Sequence, residues 1–206
     1  MKFSKLILAC LFVFFSTNTN AQRIKLIEGS LEGLKKDTSF NFEFSYEKMV
    51  VGRYDNEADY IKDKTAKMNE KIPGNGDKWA KRWISSRTED YEPKFIELFS
   101  AFTGTNTTTN SRYTIIIHTT TTEPGYDVVG GLTFGASKSA TINAEITIVE
   151  TANRSKKIAV LTIEKAAGAP GATFSGTTTG EGNLRITEAY GSAGRDIAKF
   201  MKKYWK

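Results

Sequence analysis

The stretch Ser139–Glu164 carries the pattern that most constrains the fold of this chain. From Ile142 to Ile148 every second residue is apolar, and the residues between them are polar. A period of two is typical of a strand with one buried face and one wetter face. Glu150–Ser155 is polar and turn-like, and Lys157–Glu164 is a second β-rich run. We therefore expect an antiparallel hairpin whose loop is longer than the tightest turns.

The first 21 residues have the features of a secretory signal peptide. Lys2 and Lys5 give a positive start, Leu6–Phe15 is a short apolar core, and Ala21 ends a small-residue cleavage site before Gln22. The apolar run is too short to span a bilayer, although an uncleaved anchor is the alternative. We expect export to the periplasm or the extracellular space, cleavage near Ala21, and no transmembrane span afterwards.

Cys10 is the only cysteine, and it lies within this signal segment. It follows Leu8-Ala9, as a lipidated cysteine can, but cleavage there would leave the apolar run Leu11–Phe15 on the product. We interpret Cys10 as an ordinary residue of the apolar core. The mature chain then has no disulfide, no thiolate nucleophile and no cysteine-based metal site, so its stability depends on a hydrophobic core.

The charge of the chain indicates which partners are suited to it. Removal of Lys2 and Lys5 lowers the net charge by two, from +6 to +4, because no acidic residue leaves with them. This mild basic excess favours anionic partners such as envelope glycans or lipid headgroups. The chain has no concentrated basic run, and we expect no nucleic-acid partner for an exported protein of this kind.

The remaining patterns predict helices and further strands. Phe40–Tyr46 alternates aromatic and polar residues, which predicts a strand with helices packed on its aromatic face. Residues 56–102 read as a helical block, with Asn56 and Asp77 as caps and Pro93 in the first turn of the last helix. Tyr113–Thr121 lacks alternation at its centre, which indicates an interior strand covered on both faces.

The chain ends in a predicted helix that closes the fold. Apolar residues recur at three- and four-residue spacing over residues 184–204, and close packing on the sheet would explain Gly191 and Gly194 within them. The Gly- and Thr-rich segment 166–183 precedes this helix as a long, flexible loop. Gln22–Lys36 reads as a mixed lead-in, and Tyr126–Phe134 as a short irregular strand or arm.

The element order predicts one α/β domain over residues 22–206. Its sheet core spans residues 113–164 and forms a mixed, mostly antiparallel sheet of about four or five strands with helices packed on it.

The usual residues of catalysis and metal binding are sparse. His118 is the only histidine and lies inside a β-rich run, so a Ser-His-Asp triad would have to use this residue. One histidine without a cysteine in the mature chain is too few ligands for a conventional zinc site. The acids at Asp55, Glu57 and Asp59 lack the spacing of a calcium loop. Gly130–Ser139 has a misplaced lysine and a following strand where a phosphate loop needs a helix. We expect no metal and no cofactor.

Two other clusters leave alternatives open. Glu89, Asp90, Glu92 and Glu97 could supply the carboxylate pair of a glycosidase, although scattered acids are typical of the wet face of a helix. A candidate binding surface combines aromatic and basic side chains of the helical block with an aromatic residue of the Gly/Thr loop. Its members are Trp79, Arg82, Trp83 and Phe174. The two tryptophans could equally anchor their helix to the core.

Two stretches resemble a family of exported proteins. In Ile146–Ala159 a predicted strand ends in valine and an acid, which small residues and lysine follow. Glu188–Phe200 begins with Glu-Ala and later contains Gly-Arg-Asp-Ile-Ala. Both resemble an uncharacterised group of exported bacterial envelope proteins. That group is similar in fold to the soluble domain of the curli secretion channel protein and to the lipoprotein activators of penicillin-binding proteins. The resemblance covers about residues 113–203 and implies a mixed α/β sandwich with an interaction role. The predicted lack of a lipid anchor and the unmatched helical block depart from it, and no functional residue carries over.

These observations give three hypotheses. The leading one is a non-enzymatic, exported domain that binds or assembles with another envelope component, either a protein or an anionic glycan. The second is a glycan- or small-molecule-binding module built on the tryptophans and the Gly/Thr loop. The third is a carboxylate-based hydrolase, which requires two acids that face each other across a cleft.

Overall fold

A computed structural model describes residues 22–126, 138–168 and 181–205, with backbone alone at 181 and 182. Within these ranges the chain forms seven strands in one sheet and four α-helices. The strands are β1 (Arg23–Gly29), β2 (Ser39–Ser45), β3 (Val50–Val51), β4 (Asn106–Thr107), β5 (Tyr113–Glu123), β6 (Thr141–Glu150) and β7 (Asn153–Ala167). The helices are α1 (Glu57–Lys71), α2 (Asn75–Ser86), α3 (Glu92–Thr103) and α4 (Glu181–Lys203). A 3₁₀ turn covers Glu32–Lys36, and a π turn, Arg87–Tyr91, joins α2 to α3.

The sheet order is β1-β7-β6-β5-β2-β4, and β3 pairs with the far end of β5. The pairs β1–β7, β7–β6 and β6–β5 are antiparallel, whereas β2 is parallel to both β5 and β4, and β3 is parallel to β5. The predicted single α/β domain with a mixed, mostly antiparallel sheet is confirmed. The predicted four or five strands are too few: β3 and β4 have two residues each, too short to leave a pattern in the sequence.

β6 and β7 form the predicted hairpin. Ile142, Ile146 and Ile148 are buried, as their alternation predicted. The predicted long loop is wrong, because Glu150 pairs with Asn153 and only Thr151 and Ala152 connect the strands. The polar residues that follow belong to β7, where the side chains of residues 153–157 are exposed. Their polarity reflects solvent around this end of the strand rather than a turn.

β1 is a strand that the sequence did not reveal. The lead-in pairs antiparallel with β7, from Arg23 opposite Glu164 to Gly29 opposite Ala159. Ile24 and Leu26 pack against the core, but the other residues of β1 are exposed because the strand lies at the sheet edge. An edge strand with only two inward residues gives too short an alternation to predict.

The aromatic strand β2 confirms its prediction. Phe42 and Phe44 meet Phe95 of α3 with ring centroids 6.2 and 5.6 Å apart, and Phe40 meets Phe99 at 5.9 Å. β5 lies between β2 and β6, as expected of an interior strand. Its predicted covering on both faces is wrong for Ile116, which is only half-buried.

The helical block begins as predicted. The Asn56 side chain accepts a hydrogen bond from the Asp59 amide at 2.9 Å, which caps α1. Asp77 is not a cap, because α2 starts two residues earlier, after Gly74 with φ of 80°. Asp77 lies in the first turn, where its charge still favours the helix dipole.

α4 lies across the sheet beside α3. The apolar stripe predicted for it consists of Ile186, Tyr190, Ala193, Ile197, Phe200 and Tyr204. The first four are buried, but Phe200 is only half-buried and Tyr204 is exposed, so the end of the stripe is wrong. Gly191 and Gly194 permit close packing, but against α3 and not against the sheet as expected. A Cβ atom on Gly194 would lie 3.0 Å from the carbonyl carbon of Phe95 and nearer still to its oxygen.

Several predictions lie outside the described residues. They concern the signal segment 1–21, most of the Gly/Thr loop including Phe174, and residues 127–137. The last range contains most of the predicted arm and of the segment that was compared with a phosphate loop. In the part of the chain that is described, no helix is both long and apolar enough to cross a bilayer.

Substitution of Gly194 tests the contact between α3 and α4. We expect Gly194→Ala to lower the free energy of unfolding by about 1–3 kcal/mol, because the new methyl group forces the helices apart. Gly33→Ala is the matched control, since a Cβ atom there meets nothing within 4 Å. Urea unfolding measures both. Equal stability of the two variants would contradict the close contact.

Candidate functional site

The structure separates the residues of the predicted binding surface. Trp83 is only 4% exposed, and its indole N–H donates to Glu57 at 2.6 Å, so it is no part of a surface. Trp79 is half-buried between Trp83 and Tyr60, with ring centroids 5.6 Å from each. Arg82 points the other way and binds Glu89 and Asp90. The two tryptophans therefore anchor α2, as the alternative held.

An ion pair between α1 and the π turn draws Trp83 inward. Glu57 binds Arg87, and both side chains are largely covered, at 16% and 19% exposure. The Arg87 guanidinium also stacks 4.2 Å from the centroid of the Tyr46 ring. The Tyr46 hydroxyl donates to Glu92 at 3.1 Å, and burial raises the pKa of Glu92 above its ordinary value. The π turn thus joins α1, α2 and the end of β2, which explains its irregular backbone.

A second buried network fixes α4. The rings of Tyr91 and Tyr190 stack 5.2 Å apart, and the Tyr190 hydroxyl lies 2.7 Å from Thr119 Oγ1 in the sheet. The Asn183 amide donates to Ser86 Oγ at 2.8 Å. Burial raises the pKa of the Tyr190 hydroxyl, which therefore stays neutral. These groups satisfy one another and position α4 on the sheet.

Each acid proposed for a hydrolase is engaged by a basic or hydroxyl side chain. Glu89 and Asp90 both bind Arg82, Glu92 accepts from Tyr46, and Glu97 pairs with Lys94. In the described ranges no group of three His, Cys, Asp or Glu side chains could hold a metal ion.

His118 lies on the sheet face opposite the helices. Its Nδ1 atom is 3.3 Å from Ser45 Oγ, and Glu145 is its cross-strand neighbour on β6. β5 is an interior strand, and its backbone amides are engaged in pairing on both sides, so they are not free to hold an oxyanion. We interpret Ser45 and His118 as a polar cross-strand pair.

The most distinctive surface lies where the C-terminal half of α4 meets β1. A pocket of about 440 Å³ is lined by Gln22, Ile24, Asp196, Lys199, Phe200 and Lys203. Two large aromatic side chains at its border, Phe102 and Tyr204, are 38% and 37% exposed. We refer to these eight residues, together with Arg195 and Lys202, as the α4 surface.

Cations and rings alternate on the α4 surface. The Lys199 ammonium lies 4.9 Å from the centroid of the Phe102 ring, and the Lys203 ammonium 5.9 Å from that of Phe200. Lys202 donates to the Phe102 carbonyl at 3.1 Å. The ammonium groups of Lys199 and Lys203 thus lie within cation–π distance of the rings, while both side chains stay exposed to solvent.

Asp196 is the carboxylate that lines this pocket. Arg195 binds both its oxygens, at 2.8 and 2.9 Å, and Lys199 lies 3.8 Å away. Burial alone would raise the pKa of Asp196, but Arg195, Lys199 and a hydrogen bond from Gln22 together hold it below its ordinary value. One ionised acid thus faces four cations, so the α4 surface is positive. The negative end of the α4 dipole offsets only about half a charge.

Part of the α4 surface can be recognised in the sequence. Lys199, Phe200, Lys202, Lys203 and Tyr204 interleave bases and aromatics within six residues. Helical spacing predicted that Phe200 and Tyr204 face the core. Phe102 and Gln22 are distant in sequence, and only the packing of α3 and β1 against α4 brings them to the same surface.

Two other pockets differ from the α4 pocket in their lining residues. One of about 350 Å³, at the end of β5 and β7, contains the ion pair of Lys138 with Glu123 at 2.9 Å. Another of about 410 Å³ lies beside the β6–β7 turn and contains Arg112 and Glu150. Lys165 also lines the first of these pockets, so its lining has one cation in excess, as the lining of the α4 pocket has, whereas the charges of the second are balanced. Neither has an aromatic lining residue, and this distinguishes the pocket of the α4 surface from both.

The fold is thus a mixed α/β domain with helices packed against one face of its sheet. No protein-family model and no curated protein matches the chain. Among solved structures it is similar to the PelC dodecamer from Paraburkholderia phytofirmans, with 7% identity and a TM-score of 0.34 over 85% of this chain and 96% of that chain. A single-substitution variant of that PelC gives 9% identity and a TM-score of 0.33 over 84% and 98%. Similarity at this level says nothing about what this chain binds. The resemblance to exported envelope proteins stays a prediction.

Removal of the charge on Glu57 tests the ion pair that buries Trp83. We expect Glu57→Gln to lower the free energy of unfolding by about 1–2 kcal/mol, because Arg87 keeps a partly buried charge without its counterion. The control is Lys67→Met, which breaks the exposed Lys67–Asp63 pair and should cost less than about 0.5 kcal/mol. Urea unfolding followed by tryptophan fluorescence measures both. A loss for Glu57→Gln no larger than that of the control would contradict the role of the pair.

Proposed function

We propose that this chain is an exported, non-enzymatic binding domain of the cell envelope, and that its α4 surface binds an anionic glycan. The observation that carries the proposal is the α4 surface, where the lysines and the rings of Phe102 and Phe200 lie in contact at a pocket of about 440 Å³. Export rests on the predicted signal peptide, and the absence of catalysis rests on the sparse chemical inventory of the sequence.

The size and lining of the pocket suit a sugar unit. Small-ligand sites usually measure about 300–1,000 Å³ and combine apolar walls with a few charged groups. Phe200 and Ile24 offer apolar surface, while Lys199 and Lys203 offer cations to a carboxylate or sulfate. The exposed rings of Phe102 and Tyr204 extend the surface beyond one sugar unit, as a polymer requires.

The electrostatics favour the same class of ligand. The lysine ends are exposed, about half of the Lys199 side chain being accessible to solvent, so they can contact a ligand at low desolvation cost. An anionic polymer meets several cations at once, which adds affinity and speeds encounter.

Charge reversal on the α4 surface tests the proposal. The probe is polygalacturonate, with uncharged dextran as the reference polymer. We expect the mature protein to bind polygalacturonate but not dextran, with affinity that falls as salt rises. Lys199→Glu/Lys203→Glu should weaken binding about tenfold or more, because two attractive contacts become repulsive.

The matched control is Lys62→Glu/Lys78→Glu, which changes the net charge equally at exposed positions on α1 and α2. It should keep its affinity, and thermal unfolding verifies that both double variants are folded. Equal losses in the two variants, equal binding of dextran, or capture of an acidic protein partner without any glycan binding would each overturn the glycan assignment.

A further inference from the structure

The lining of the pocket on the α4 surface contains an acid, Asp196, beside Lys199 and Lys203. The Asp196 side chain is 22% exposed, so a ligand in the pocket can reach part of it. A carboxylate repels an anionic ligand, so Asp196 lowers the affinity of the pocket for an anion unless it makes a favourable contact of its own. Its remaining hydrogen-bonding capacity defines that contact.

The Asp196 carboxylate can accept further hydrogen bonds. Arg195 donates from Nε to Oδ1 at 2.8 Å and from one terminal guanidinium nitrogen to Oδ2 at 2.9 Å. The Lys199 ammonium is 3.8 Å from Oδ1, which is beyond hydrogen-bond distance. An ionised carboxylate has about four acceptor positions, so the two bonds from Arg195 leave capacity for other donors.

The Asp196 carboxylate is ionised at neutral pH. Partial burial acts to raise the pKa of Asp196, but Arg195 and Lys199 hold it below its ordinary value. The group therefore accepts hydrogen bonds and donates none. Because Arg195 engages both oxygens, it also fixes the orientation of the carboxylate.

An acceptor and a cation thus lie side by side in the lining of the pocket, with 3.8 Å between Asp196 Oδ1 and Lys199 Nζ. A ligand that satisfies both must carry a hydrogen-bond donor close to an anionic group. An acidic sugar unit has this chemistry, because its ring bears hydroxyl groups as well as a carboxylate. A polyanion without hydroxyls can contact the lysines, but Asp196 only repels it.

We propose that Asp196 determines the specificity of the α4 surface by accepting a hydrogen bond from a hydroxyl of an acidic sugar whose carboxylate contacts Lys199. The ligand then needs its hydroxyls as well as its charge. This role of Asp196 rests on the proposed function, because it takes the α4 surface as the glycan site.

Selectivity between two polymers tests the role of Asp196. The probes are polygalacturonate and polyacrylate, which carries carboxylates but no hydroxyls. Asp196→Ala removes a negative charge, which should strengthen the binding of both polymers, and an acceptor, which only polygalacturonate uses. We expect the ratio of the polyacrylate to the polygalacturonate dissociation constant to fall about tenfold, as for the loss of one hydrogen bond to a charged group.

A second variant separates the acceptor from the charge. Asp196→Asn loses the charge but keeps one acceptor oxygen, so its ratio should lie between those of the wild type and Asp196→Ala. The matched control is Glu89→Ala, which removes an acid that also binds an arginine but lies on the π turn, outside the lining of the pocket. The control should keep the wild-type ratio, and thermal unfolding verifies that every variant is folded.

The outcomes separate this role from the proposed function. An unchanged ratio in Asp196→Ala would mean that the carboxylate acts through its charge alone and would overturn the role, while polygalacturonate binding by the wild type would leave the glycan proposal in place. An equal fall in Glu89→Ala would overturn the role as well. If the wild type binds no polygalacturonate, the glycan proposal fails and the role of Asp196 fails with it.

Discussion

The contact between α3 and α4 is the constraint on which the candidate site depends. Gly194 brings the α4 backbone against the carbonyl of Phe95, a distance that any side chain would prevent. Phe95 in turn packs on Phe42 and Phe44, so the position of α4 is fixed to the sheet through α3. A helix held this close to its neighbour leaves its C-terminal end beside both Phe102 and β1.

Polar groups in the core assist this arrangement rather than compete with it. The Tyr190 hydroxyl reaches Thr119, and Asn183 reaches Ser86, so these two buried polar side chains of α4 find partners. The Arg87–Glu57 pair does the same for the π turn and explains why two tryptophans in an amphipathic helix serve packing. The cations and rings at the end of α4 lie outside these networks and form its positive, aromatic surface.

Strands and helices with long, regular patterns were predictable. The hairpin, the aromatic strand, the Asn56 cap and four of the six residues in the apolar stripe of α4 are confirmed, because each is recorded by local periodicity or by a capping residue. The edge strand β1 and the two-residue strands were missed, since so few of their residues face inward. The length of the hairpin loop was wrong because exposed strand residues resemble turn residues in composition.

The sequence by itself determined the α/β class, the order of the main elements and the basic, aromatic composition of the last helix. Those properties arise from residues that are neighbours along the chain. Tertiary structure alone decided that the Trp83 indole binds Glu57, that Arg82 binds Asp90, and that Gln22 and Asp196 line the same pocket. Each of these contacts joins elements far apart in sequence, and which side chains meet depends on how helices and sheet pack, a quantity that no local pattern records.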